Sequence, residues 1–343
     1  MGYLQQIKTT ANQLSSKLKN LDLNTLPLSP VGKDYFEYNL RRIDFVNNNN
    51  AVMLASLLDT LKTQPNDATI VDHGGGIGFF SFLCKSYGIG QVIYQDIESH
   101  YKEDTVLIAK ALGFAIDHYI IGDTDVLLEY TTKNNLTING IGSRNVIEHV
   151  LDYRLLFQEF AKIKSSDLVI YIATSANIHN PVIHYLHKKM HHQYDLYGDE
   201  KTRRILNHAT SGNAMRIEIL KAEKAKDVEI QALLPYLRDK TKQEITSALN
   251  NFRATKTLPA RPDRTNTRDP KSGVWVERLV KYEEYAKAAK DAGFEIKYLP
   301  GYYDTHYKKR WKNFIAIGMN VLVKVSRPWQ KHTSAYLAFI LSK

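Results

Sequence analysis

The sequence has very little cysteine and no long apolar run. Cys84 is the single cysteine, which excludes an intramolecular disulfide and any metal site built from several cysteines. The first 23 residues contain no apolar stretch of the signal-peptide type, and no window of about 20 apolar residues occurs in the chain. We therefore expect a cytoplasmic protein without a membrane span, in which Cys84 is a buried structural thiol.

Basic residues outnumber acidic residues in this sequence. The 343 residues include 46 Lys and Arg against 36 Asp and Glu, a formal net charge of +10. This balance favours an anionic partner, such as a nucleotide-sugar, an acidic glycan, nucleic acid or a membrane surface, although it can also serve solubility alone. The apolar fraction of 43% is ordinary and excludes wholesale disorder.

A cluster of glycines follows a short apolar run that ends at Val71. The order apolar run, glycines, apolar run predicts a buried strand, a tight turn and a helix. A dinucleotide fingerprint G-x-G-x-x-G/A needs a small third residue, but the two possible frames place Phe79 or Ser81 there, and neither fits cleanly. The spacing acid-x-G-x-G-x-G is complete, and its members are Asp72, Gly74, Gly76 and Gly78.

Three polar segments follow in order. The first is a short β-rich run, 91–95, followed directly by Asp96, which lies 18 residues beyond Gly78. A carboxylate at this distance can accept hydrogen bonds from a ribose diol. The second segment, 120–125, is an acidic loop, and the third, 141–152, has the sequence IGSRNVIEHVLD.

These four segments together resemble class I S-adenosylmethionine-dependent methyltransferases. The third polar segment resembles the branch that methylates quinones, sugars and other small molecules. The resemblance implies an α/β fold with a doubly wound, mostly parallel seven-stranded sheet of the Rossmann-like type, and S-adenosyl-L-methionine as cofactor. It implies cofactor contacts from Asp72, Gly74, Gly76, Gly78, Asp96, Ile97, Asp123, Thr124 and Asn145.

The pattern divides the chain into four segments. We expect an N-terminal helical cap (1–66), a cofactor-binding core (67–177), an insertion that forms a lid and acceptor-binding region (178–275), and the rest of the core (276–343). In the cap, helices are expected over 3–22 and 34–64, the second interrupted at Asn47–Asn50. Core strands are expected at 68–72, 91–95, 118–122, 138–144 and 167–173, and core helices at 78–87, 102–113 and 153–164.

The last segment is expected to hold a helix from 276 that stops at Gly293, then a strand. Residues 311–325 fit a helix or a strand, and the resemblance favours a helix with a reversed last strand over 335–341.

Candidates for catalysis and acceptor binding are less sharply defined. His149 is the candidate general base, because it follows the fourth strand and imidazole titrates near neutrality; packing or capping of the next helix is the alternative. The family often has an acid where this chain has Asn139. Candidate acceptor contacts are Tyr38 in the cap and the insertion arginines Arg261, Arg264 and Arg268, with core packing and a solvated loop as alternatives.

A histidine-rich helix follows the fifth strand, with His184, His187, His191 and His192 at helical spacing. A metal site there is conceivable, but no acid on that face completes a ligand set, so a solvated or substrate-facing helix is favoured and no metal is expected.

The predicted activity is S-adenosylmethionine-dependent methyl transfer to a small-molecule or glycan acceptor, possibly an anionic sugar or nucleotide-sugar. An RNA methyltransferase and a catalytically silent binding protein remain alternatives. No RNA-binding module stands out, which argues against the first. The complete set of glycines and acids argues against the second. A homo-oligomer is possible.

Overall fold

In the computed structural model, residues 2–198, 210–262 and 265–343 are described. The chain divides into two compact units. The first comprises the residues up to Ile147 together with Asp152–Thr174 and Tyr282–Lys343, and the second comprises Glu148–Leu151 and Ser175–Lys281. The second unit includes the segment predicted as an insertion.

The first unit is built on a seven-stranded sheet with the strand order β3-β2-β1-β4-β5-β7-β6. Its strands are β1 (Thr69–His73), β2 (Gln91–Asp96), β3 (His118–Ile121), β4 (Gly140–Arg144), β5 (Val169–Thr174), β6 (Glu295–Pro300) and β7 (Leu337–Ser342). The first five pair in parallel, whereas β7 runs antiparallel to both β5 and β6. The predicted α/β fold with a mostly parallel sheet and a reversed last strand is confirmed.

Helices cover both faces of this sheet. Successive side chains of a strand point to opposite faces, and the neighbours Ile70 and Val71 of β1 are both fully buried. The helices of the first unit are α1 (Leu4–Lys19), α2 (Pro30–Leu40), α3 (Ile43–Leu58), α4 (Phe79–Tyr87), α5 (Ser99–Ala111), α6 (Thr124–Lys133), α7 (Tyr153–Ala161), α12 (Tyr282–Asp291), α13 (Arg310–Val325) and α14 (Gln330–Thr333). The sequence did not predict α6, whose polar, threonine-containing pattern lacks a clear apolar stripe.

The four asparagines at 47–50 do not interrupt a helix, and the predicted break there is wrong. They lie inside α3, where three of them are buried. The Asn47 side-chain amide donates to the Ser15 hydroxyl oxygen at 2.9 Å, and the Asn48 amide donates to the Tyr302 hydroxyl at 2.9 Å. Tertiary partners for the amides therefore override the low helix propensity of asparagine.

Asn139, which replaces the acid common in the resembled family, has a structural role at the start of β4. Its side-chain oxygen accepts from the Thr69 backbone N–H at 2.9 Å, and its amide donates to the Thr63 hydroxyl at 3.2 Å. The amide thus ties β1 and the chain before it to β4. An asparagine can do this without the cost of burying a charge.

In the last part of the chain, one predicted helix begins later than expected. α12 begins at Tyr282, so the helix predicted from residue 276 is too long by six residues. Residues 276–281 belong to the second unit, and Glu277 there has a left-handed φ of 48° that a helix cannot accommodate. The stop at Gly293, with φ of 88°, the following strand and the helix over 311–325 are confirmed.

The second unit is helical and has its own apolar core. Its described helices are α8 (Pro181–Tyr197), α9 (Gly212–Ala222), α10 (Asp227–Leu233) and α11 (Lys242–Thr255). Seven buried aliphatic residues from α9 to α11 form the core: Ile219, Leu220, Ile230, Leu233, Leu237, Ile245 and Leu249.

A buried ion-pair network joins α8 to the rest of this unit. The Arg216 guanidinium, with no exposed side-chain surface, donates to Asp195 Oδ1 at 2.8 Å, and Arg238 Nε lies 2.8 Å from Asp195 Oδ2. The Thr267 hydroxyl also donates to Asp195 Oδ1, at 2.7 Å. A single carboxylate therefore compensates two arginines.

Removing that carboxylate should destabilise the protein strongly. Asp195→Ala leaves the buried charge of Arg216 without its counterion, and we expect a loss of about 3–5 kcal/mol in unfolding free energy. The matched control is Asp291→Ala, which removes an exposed i,i+4 partner of Lys287 and should cost less than about 0.5 kcal/mol. Urea denaturation of the two variants tests this, and equal losses would contradict it.

Candidate functional site

The glycine turn lies at the carboxyl end of β1, at the edge of the sheet where ligands of such folds bind. Three of its glycines have left-handed backbone conformations: Gly74 (φ 66°), Gly76 (φ 53°) and Gly78 (φ 80°). Such conformations favour glycine because a Cβ would clash with the backbone. The turn then leads directly into α4, as the sequence predicted.

Gly76 is fixed by its neighbours on β2 and α5. Its N–H donates to Asp96 Oδ2 at 2.7 Å. Its carbonyl accepts from the Tyr94 hydroxyl at 2.6 Å and from the Thr105 hydroxyl at 3.2 Å. Because three side chains hold the two peptide groups that flank Gly76, this part of the turn is preorganised.

The three glycines differ in the contacts that an added Cβ atom would make. A Cβ at Gly74 would lie 2.3 Å from a Val146 methyl, and one at Gly78 would lie 2.5 Å from the Thr105 methyl, so packing requires these two glycines. At Gly76 the nearest atom would be Tyr35 Cε1, at an ordinary 3.5 Å. Packing therefore tolerates a Cβ at this position, and the left-handed backbone is what favours glycine there.

Asp72 is buried behind the turn. Its Oδ2 accepts from the Ser81 backbone N–H at 3.0 Å and from the Ser81 hydroxyl at 2.7 Å. Burial raises the pKa of this carboxyl to about 6, although the Ser81 hydrogen bonds oppose the shift. Asp72 thus anchors the first turn of α4 and is sensitive to charge placed near it.

Asp96 ends β2 and can accept more hydrogen bonds than the protein supplies. Its Oδ2 takes the Gly76 N–H, and its Oδ1 takes the Glu98 N–H at 2.9 Å. The Ile97 N–H is a third backbone donor to this carboxylate, and a carboxylate offers about four acceptor positions, so about one remains for a ribose hydroxyl. Burial raises the pKa of Asp96, while the backbone hydrogen bonds lower it.

The remaining predicted cofactor residues lie at the ends of neighbouring strands. Ile97, directly after β2, is 56% exposed. Asp123, exposed, precedes α6, and the buried Thr124 has its hydroxyl 3.4 Å from His73 Nε2. Asn145 follows β4 with a left-handed φ of 57°. The fold therefore brings the predicted set to one edge of the sheet.

Gln95 is a connection that the sequence analysis did not find. Its side-chain oxygen accepts from the Gly74 N–H at 3.3 Å, and its amide donates to the Gly122 carbonyl. It links the glycine turn to the acidic loop after β3. A buried glutamine directly before Asp96 was the available signal.

His149 belongs to the second unit. Its Nδ1 lies 3.0 Å from the Trp275 carbonyl oxygen. Because a carbonyl only accepts, Nδ1 carries a proton, and in the neutral ring Nε2 is then the basic nitrogen.

Two of the clustered histidines hold Glu277. His187 donates to Glu277 Oε2 from Nε2 at 2.9 Å and to the Ile183 carbonyl from Nδ1 at 2.9 Å. Burial lowers the pKa of His187, but Glu277 outweighs it and the net shift is upward. Burial lowers the pKa of His191 to about 4, and its Nε2 donates to the Glu277 carbonyl at 3.1 Å.

Over the described ranges, no group of three or more His, Cys, Asp or Glu could hold a metal ion.

The predicted acceptor residues are found in varied surroundings. Arg268 donates to the Gly273 carbonyl and stacks on the Trp275 ring at 5.0 Å, and Arg261 stacks on Tyr236 at 5.7 Å. Arg264 lies outside the described residues. Tyr38 on α2 is 55% exposed.

A cationic and aromatic cluster at the end of β4 was missed. Arg144 is half-buried, and its charge opposes the pKa increase that burial causes in Tyr171, Tyr302 and Tyr336. Its charge also lowers the pKa of Asp72. Arg144 makes no side-chain hydrogen bond or ion pair with any described residue. The sequence motif contains this arginine but gives no signal for a role of its side chain.

Comparison with known proteins gives structural similarity only. No protein-family model matches the chain, and no curated protein matches it. PKMT2 from Rickettsia typhi has 11% sequence identity and a TM-score of 0.41, and covers 84% of this chain and 51% of its own. An S-adenosylmethionine-dependent methyltransferase from Mesorhizobium loti has 13% identity and a TM-score of 0.39, covering 84% and 96%. A Haemonchus contortus phosphoethanolamine N-methyltransferase, solved with S-adenosyl-L-methionine, has 12% identity and a TM-score of 0.38, covering 86% and 51%.

The chain thus spans about half the length of two of these structures, and 34% of a matched Streptococcus mutans chain. Similarity at this level assigns no activity. No described helix is long and apolar enough to cross a membrane.

Asp72 should make stability depend on pH. Its folded-state pKa of about 6 lies above the ordinary 3.8, so burying the ionised form costs about 3 kcal/mol above pH 6, and the cost disappears as pH falls towards 4. Asp72→Asn avoids ionisation. The unfolding free energy of the variant minus that of the wild type should therefore decrease as pH falls through this range. A difference that is constant with pH in urea denaturation would contradict the shift.

Proposed function

We propose that the protein is an S-adenosylmethionine-dependent methyltransferase that acts on a small anionic molecule or glycan. The observation that carries this proposal is the bare backbone of Gly76, held beside the Asp96 carboxylate, which keeps a spare acceptor position. A glycine turn of this type lets a nucleoside approach the backbone, and an acid at the end of the next strand suits a ribose diol.

The residues of the first unit fit the cofactor. Asp96 would hold the ribose hydroxyls and Ile97 would pack on the adenine, because its apolar side chain is exposed directly after β2. Asp123 and Thr124 would meet the adenine amino group at the end of β3. When bound, the cofactor supplies an activated methyl group on a sulfonium centre, so the protein needs mainly to position the acceptor.

His149 is the proposed proton acceptor for a hydroxyl nucleophile. Its Nδ1–H is committed to the Trp275 carbonyl, which orients the ring and leaves Nε2 to take a proton.

Arg144 is the proposed contact for the acceptor's negative charge. It is half-buried, makes no side-chain hydrogen bond or ion pair with a described residue, and its charge lowers the pKa values of Tyr171, Tyr302 and Tyr336. A guanidinium binds carboxylates and phosphates through paired hydrogen bonds, and phenol hydroxyls can bind the neutral polar groups of the same molecule. This residue is better placed for the role than Arg268, whose guanidinium already has partners within the second unit.

Gly76→Val should abolish cofactor binding. In the unliganded protein the new Cβ would lie at an ordinary 3.5 Å from Tyr35, so the main cost is the strain of a left-handed residue, about 1–2 kcal/mol. Gly113→Val is the matched control, because Gly113 has φ of 78° and no atom within 4 Å of an added Cβ. Both variants should lose similar stability, but only Gly76→Val should lose calorimetric binding of S-adenosylhomocysteine. Equal affinity of the two variants for S-adenosylhomocysteine would show that the cofactor does not bind beside Gly76.

Arg144→Gln should raise the acceptor's KM at least tenfold, because a charged hydrogen bond is worth about 1.5–3 kcal/mol, while cofactor affinity stays unchanged. Arg154→Gln, which removes an exposed arginine of the same unit, controls for net charge. A panel of carboxylated, phosphorylated and uncharged hydroxyl compounds, assayed with a labelled methyl donor, provides the acceptor. Preference for uncharged acceptors, or a fall in cofactor affinity with Arg144→Gln, would contradict this assignment.

A further inference from the structure

An exposed apolar surface lies on α13 and the short helix Arg327–Trp329 that follows it. Phe314 is 75% exposed, Val325 is 70% exposed and Trp329 is 63% exposed. Large side chains at this level of exposure on one segment are unusual in a soluble domain. Only Ala316 and Val323 of α13 are buried. The helix therefore attaches to the first unit by a narrow stripe and directs most of its apolar residues to solvent.

The exposed apolar residues of α13 share one side of the helix. With about 100° between successive residues, they fall within an arc of about 160°. The members of this apolar arc are Trp311, Phe314, Ile315, Ile317, Gly318, Val321, Leu322 and Val325. The buried Ala316 and Val323 lie on the opposite side of the helix, so packing in the first unit does not account for the pattern.

All charged residues of the same segment are basic. No Asp or Glu occurs from residue 305 to the end of the chain. Basic side chains precede α13, flank the apolar arc on both sides and follow it: Lys308, Lys309, Arg310, Lys312, Lys324 and Arg327. Within the described part of the chain, none of these six forms an ion pair.

We propose that this surface binds the face of an anionic lipid bilayer. The apolar arc would enter the boundary between headgroups and acyl chains, and the flanking cations would meet the lipid phosphates. Trp311 and Trp329 suit this depth because indole is amphipathic. α13 has 16 residues and would lie in the plane of the surface. The inference does not depend on methyltransferase activity.

Charge distinguishes this occupant from a second copy of the chain. A two-fold symmetric dimer places the same surface on both subunits, so the six unpaired cations would face six more with no acid of the segment to balance them. An anionic bilayer balances them.

The test is sedimentation of the purified full chain with lipid vesicles. Binding is expected to vesicles that contain phosphatidylglycerol, to be much weaker with phosphatidylcholine alone, and to fall with added salt. Trp311→Gln together with Phe314→Gln should weaken partition at least tenfold, and Lys309→Gln with Arg310→Gln and Lys312→Gln should do the same. Leu155→Gln, which changes a 51% exposed leucine on α7, should leave partition unchanged. Circular dichroism verifies that each variant is folded.

Three results would overturn the proposal. One is absence of sedimentation with both vesicle types. Another is a dimer in light scattering without lipid that Phe314→Gln dissociates, which would assign the surface to a second copy. The third is binding to soluble polyglutamate that matches vesicle binding and is unaffected by Phe314→Gln, which would indicate attraction by charge alone.

Discussion

The site depends on the hydrogen bond from the Gly76 N–H to the Asp96 carboxylate. This contact joins the turn after β1 to the end of β2, its parallel neighbour in the sheet. With Tyr94 and Thr105 on the carbonyl of the same residue, it fixes both peptide groups of Gly76. The same carboxylate is then both a structural anchor and the proposed ribose acceptor, so the geometry of the turn and the proposed ribose contact are coupled.

Charge organises the rest of the first unit in relation to that contact. Asp72 and Asp96 are acids with raised pKa values because burial removes them from water, so a cationic ligand group nearby would stabilise both. Arg144, at the end of β4, is the cation of the same edge. The arrangement suits a ligand or a pair of ligands that carry both signs of charge, as a sulfonium cofactor and an anionic acceptor would.

The sequence was informative where one residue type has one physical role. The glycine and acid spacing located the turn, and short apolar runs located the parallel strands, because a buried strand needs little beyond apolar residues and a stop. It was misleading at Asn47–Asn50, where buried hydrogen bonds from distant residues decide the outcome. It was silent on Arg144, because a lone arginine in a strand gives no periodic signal. The apolar pattern of α13 fitted a helix or a strand, the resemblance favoured the helix, and neither shows whether the apolar face meets a core or solvent.

Isothermal titration calorimetry of the purified chain tests the central claim most directly. S-Adenosylhomocysteine should bind with a Kd of about micromolar magnitude, corresponding to roughly −8 kcal/mol, and NAD should produce no heat under the same conditions. Binding of NAD without binding of S-adenosylhomocysteine or S-adenosylmethionine would contradict the account and would make the turn a dinucleotide site.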